Sequence, residues 1–79
     1  MKTDFAGLKN YININNIKNK EKLIKIIVSN SKNISVSISQ IEEIVYKFIM
    51  ENGVDEVKTI CLTGEIIDWV IHELAKNEG

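Results

Sequence analysis

The sequence predicts a small α+β domain, with order β-β-α-β-α and two helices on one face of a three- to four-stranded sheet. Three observations predict it. Residues 34–39, "ISVSIS", alternate strictly, with Ile34, Val36 and Ile38 on one face and serines on the other. Residues 22–29, "KLIKIIVS", and 57–62, "VKTICL", are short and β-branched. The stretch from Ile41 to Ile49 instead repeats its apolar residues at helical spacing. The alternative is an all-α bundle.

The elements follow in chain order. "DFAGL" fits one helical turn with Phe5 and Leu8 inward, and Tyr11–Ile14 a short strand. The chain reads as a single domain over 1–79, with residues 1–20 as its more loosely ordered N-terminal segment. "NSKN", residues 30–33, is a loop of turn formers, so 22–38 reads as a β-hairpin. Helix one follows. Ser39 with Glu42, or Ser37 with Gln40 one turn earlier, supplies a capping box. Ile41, Ile44, Val45, Phe48 and Ile49 form its apolar stripe, and Gly53 suits a left-handed end. Residues 57–62 make the third strand, Thr63 caps, and helix two covers about 64–77. The rival for this region is one helix over 55–77, with Gly64 inside it at a cost of about 1 kcal/mol.

Composition bounds the function. In 79 residues, ten lysines and eleven carboxylates leave a net charge of −1. That argues against general nucleic-acid binding, which needs a cationic surplus. The one local cluster is Lys18, Lys20, Lys22 and Lys25, most simply a solvated edge. A single cysteine excludes an internal disulfide and fits a reducing cytoplasm. "MKTDFAGLKN" lacks the apolar core of a signal peptide, and no apolar run approaches 18 residues. Fifteen Ile, nine Asn and ten Lys, with no Arg or Pro, point to A+T-rich codons, as in a low-GC bacterium or its phage or plasmid.

The chain carries its only Trp and only His in its last 18 residues. Glu65, Asp68 and His72 share a helix face with Lys76, opposite Ile66, Ile67, Val70 and Ile71. Glu65 and His72 are about 10.5 Å apart along the axis, too far for one ion. Asp68 and His72 alone fall short of the four ligands a structural site needs, so no metal or other cofactor is expected. Cys61 and His72 fall on different elements, and no acid, base and nucleophile converge, so no enzyme is expected.

Trp69 lies outside the apolar arc of its helix, and Tyr46 and Met50 pair at i,i+4 opposite the helix-one stripe. Trp, Tyr and Met are enriched at interface centres. With Glu65, Asp68 and His72 they form the expected partner-binding set. The expected function is a non-enzymatic cytoplasmic regulator or inhibitor that docks on a partner protein. A chain this short also gains from self-association. The alternative is a nucleic-acid-binding regulator acting as a homodimer through Lys18, Lys20, Lys22 and Lys25.

The stretch "ISVSIS…GVDEVKTICLTGEIIDWVI" is distantly similar to Alba-like domains, which are nucleic-acid-binding α+β folds. It departs from them in having no lysine in "SISQ" and no hairpin after helix two, so no functional residue carries over. The serines at 35, 37 and 39 also fit a ribbon-helix-helix regulator, which the lack of Arg weakens.

Overall fold

The computed structural model describes residues 5–78, and among them there is helix but no strand. The order is α1 (Ala6–Ile14), α2 (Lys20–Ser31), α3 (Ile38–Glu51) and α4 (Glu56–Glu78). The α+β expectation is therefore corrected to the all-α alternative, and the Alba-like and ribbon-helix-helix resemblances lose their strands.

Each expected strand fails for a physical reason. Tyr11–Ile14 is the last turn of α1, which buries Leu8 and Ile12 at i,i+4. Residues 22–29 lie in α2, where Leu23 and Ile27 are buried and Ile24 and Val28 pack at the margin. The hairpin over 22–38 is thus helix, loop and helix start. In the loop Ser35 N–H donates to Asn33 Oδ1 and Val36 N–H donates to Asn33 O, a local turn. Ile34 stands fully exposed there while Val36 packs on the core, so the alternation serves no sheet face.

The third strand, 57–62, is the start of α4, a single helix of 23 residues. Asp55 accepts from Lys58 N–H at 2.9 Å and opens it as an N-cap. Thr59 is buried and donates its hydroxyl to Asp55 O at 2.7 Å, a bond that a strand does not offer. Thr63, expected as a cap, and Gly64 lie inside this helix.

Helix α3 stands nearly where the apolar period places it. Its capping box is the Ser37–Gln40 pair, with Gln40 N–H donating to Ser37 Oγ and Ser37 N–H to Gln40 Oε1. It ends through Gly53 at φ 84°, with Val54 packed on the core. Asparagine serves the turns elsewhere. Asn16 and Asn19 both take φ 55° between α1 and α2, a conformation asparagine tolerates better than most residues. Asn19 Nδ2 also donates to Asn52 Oδ1, tying that turn to the one after α3.

The core gathers residues from every helix, including Phe5, Leu23, Ile27, Val45, Ile49, Ile66 and Val70. Helix α4 contacts all three others. Its most extensive packing is against α3, and α1 and α2 also pack on it. No helix among the described residues is long and apolar enough to cross a membrane.

Candidate functional interface

The buried residues of α4 are Thr59, Leu62, Thr63, Ile66, Ile67, Val70 and Glu73, which mark one side of the helix. At 100° per residue Val57, Ile60, Gly64 and Ile71 fall within about 60° of one another, along the edge of that buried side next to Thr63 and Ile67. Val57 is 73% exposed, Ile60 56% and Ile71 48%. They account for three of the six large exposed apolar side chains among the described residues, and Met50 on neighbouring α3 is a fourth. Solitary exposed apolar residues are ordinary, but four on one side of a hairpin are not scattered.

Beside this stripe a groove of about 460 Å³ opens between α3 and α4. Its α3 wall is Ser39, Glu42, Glu43 and Tyr46, and its α4 wall is Ile60, Thr63 and Gly64. Met50 and Val57, both exposed, flank the turn that joins α3 to α4, outside the groove's lining. Ile71 is exposed two turns beyond Gly64 on α4. From Val57 to Ile71 the stripe is about 21 Å long, four helical turns.

Two features of the groove are costly for the isolated fold. Gly64 sits mid-helix, where glycine is about 1 kcal/mol worse than alanine, and a Cβ built there meets nothing within 4 Å. No internal contact requires the glycine. Thr63 is only 4% exposed, yet its hydroxyl has no hydrogen-bond partner. A buried polar group left unpaired is destabilising.

The opposite flank is closed. A Cβ at Gly7 on α1 would lie 2.5 Å from Trp69 Cζ3, so this glycine is what lets α1 approach the indole. Trp69 is half-buried there, and its ring meets His72 edge-on with centroids 6.1 Å apart. Tyr11 lies on the same flank, and burial, then the charges of Glu65 and Cys61, push its phenol above the usual range.

The residues expected to bind a partner thus divide. Tyr46 lines the groove, Met50 is exposed one turn on along α3, and Asp68 lies one turn beyond Gly64, outside the lining. Trp69, with His72 against its ring, has an intramolecular partner in α1, and exposed Glu65 faces that flank too. Ile60, Thr63, Gly64 and Val57 were masked in the sequence by their resemblance to a strand and a cap. Of the lysines, Lys22 and Lys25 lie within α2 and Lys18 and Lys20 at its start; all are exposed. Among the described residues no three His, Cys, Asp or Glu gather as metal ligands. Cys61 is an exposed free thiol.

Comparison with known protein families, with curated proteins and with solved structures found no match.

Proposed function

We propose that the chain is a small non-enzymatic interaction module, a regulator or inhibitor that docks on a partner protein through the α3–α4 groove. The observation that carries this reading is the coincidence of Gly64, open to solvent with no internal contact, with the exposed line of Met50, Val57, Ile60 and Ile71. Apolar anchors beside a residue without a side chain leave room for another chain to approach closely, and an apolar groove suits the apolar face of an amphipathic helix. The mode of action is occlusion: the module covers a surface that its partner uses elsewhere. An exposed lone thiol suits a reducing compartment, and we place the protein in the cytoplasm.

A random peptide library panned against the protein tests the reading, with Ile60→Glu as the counter-selecting bait. Enrichment of related sequences that depends on Ile60 is the expected result. Enrichment indifferent to Ile60, or none, contradicts docking at this face.

A further inference from the structure

We infer that the occupant of the α3–α4 groove is an amphipathic helix with lysine or arginine flanking its apolar stripe. The inference rests on the docking reading above and adds the chemistry of the partner. Charge is divided unevenly along the chain. Residues 42–73 carry eight carboxylates against Lys47 and Lys58, while residues 18–32 carry five lysines against Glu21. The groove lies within the acidic part. Glu42 and Glu43 rim it on α3, with Lys47 bound to Glu43 at 3.1 Å; exposed Asp68, one turn past Gly64 on α4, lies outside this lining. The lining beside these α3 carboxylates is apolar, from Ile60, Gly64 and Tyr46. An apolar lining beside an acidic rim is complementary to a helix that is apolar on one face and cationic at its borders. The exposed stripe, about 21 Å long, matches roughly 14 residues of such a helix.

A second copy fits less well. Pairing α4 with α4 brings Asp68 and its rim carboxylates onto another acidic face. Lysine-bearing α2 has the right charge, but it contributes none of the large exposed apolar residues. It has no stripe to lay in the groove.

The test uses the full chain and three synthetic helical peptides of about 18 residues. One has leucines at i,i+3,i+4,i+7 flanked by lysine. The second has the same leucines flanked by glutamate. The third has the first peptide's composition, scrambled to remove the stripe. Binding is read by fluorescence anisotropy of labelled peptide, with the protein's mass followed by light scattering. The lysine-flanked peptide is expected to bind at least about tenfold more tightly than either control. Its binding should weaken with salt, fall at least tenfold in Ile60→Glu, and shift the amide signals of Ile60, Thr63 and Gly64. Equal binding of the glutamate-flanked peptide overturns the cationic partner and leaves the docking face standing. Equal binding of the scrambled peptide shows charge attraction alone and overturns the inference. A dimer that Ile60→Glu dissolves, with no peptide bound, assigns the face to a second copy and overturns it too. A monomer that binds no peptide overturns both the inference and the docking reading.

Discussion

On the flank of α4 that α1 covers, Gly7 lets Trp69 settle against a neighbouring helix; on the flank beside α3, Gly64 stands over open space. Both glycines lie within helices, Gly7 in the first turn of α1 and Gly64 in the interior of α4, where glycine's conformational cost applies in full. At Gly7 an intramolecular contact explains it, because any side chain there would enter the indole ring. At Gly64 nothing in the chain explains it, and apolar residues exposed beside it remain uncovered. The difference teaches where this small fold is finished and where it is not.

Breaking the closed flank should have the largest effect. Trp69→Ala is expected to lower stability by about 2–3 kcal/mol, somewhat below the cost for a fully buried tryptophan because the ring reaches solvent. Urea unfolding followed by circular dichroism measures this. A loss under about 0.5 kcal/mol, the range of ordinary surface substitutions, would show the Gly7 contact to be incidental. Gly7→Ala is next. Overpacking against the indole should outweigh the gain in helix propensity and leave a net loss of about 1–2 kcal/mol.

The same substitution on the open flank should change sign. Gly64→Ala is expected to stabilise the protein by about 1 kcal/mol and raise the Tm by about 4–8 °C. A fall in Tm would mean that Gly64 has an internal role. Ile60→Glu sharpens the contrast further, since it should change stability by no more than about 0.5 kcal/mol while removing the docking anchor. The smallest effect concerns Tyr11. Its folded-state pKa is raised by burial, then by Glu65 and Cys61, so the folded chain holds the phenolic proton more tightly than the unfolded chain. That contribution is fully present below the unfolded pKa of about 10 and is lost as pH rises through the folded value. Tyr11→Phe should flatten the alkaline decline in stability, as read from urea midpoints at pH 9 to 11.

The legible parts of the fold were those with several agreeing signals. Helix α3 has an apolar period, a capping box and a glycine stop, and each is realised at Ile41–Ile49, Ser37–Gln40 and Gly53. The helical turn at "DFAGL" with Phe5 and Leu8 inward, and the helix over about 64–77, also stand, at the start of α1 and within α4; the expected strands were misread because composition obscures them. With Ile so frequent, β-branched runs such as "KLIKIIVS" stop discriminating strand from helix, and burial of Leu23 and Ile27 decides for helix. Gly64 hid the continuity of α4, since its cost argues locally against a helix that tertiary packing nonetheless sustains. Tyr46 and Met50 stood out in sequence because their helix was right. Ile60, Thr63 and Gly64 did not, because a strand ending in a cap scattered them. Trp69 looked unpartnered on a wheel of α4 alone, where the approach of α1 cannot be seen.

The most direct measurement is the affinity of the lysine-flanked amphipathic peptide for Gly64→Leu, set beside its thermal melt. The open space above residue 64 predicts a variant that melts at or above the wild-type temperature and binds the peptide at least about tenfold more weakly, because the leucine occupies the place of the partner helix. A variant that melts normally and binds as tightly as wild type would contradict docking in the α3–α4 groove.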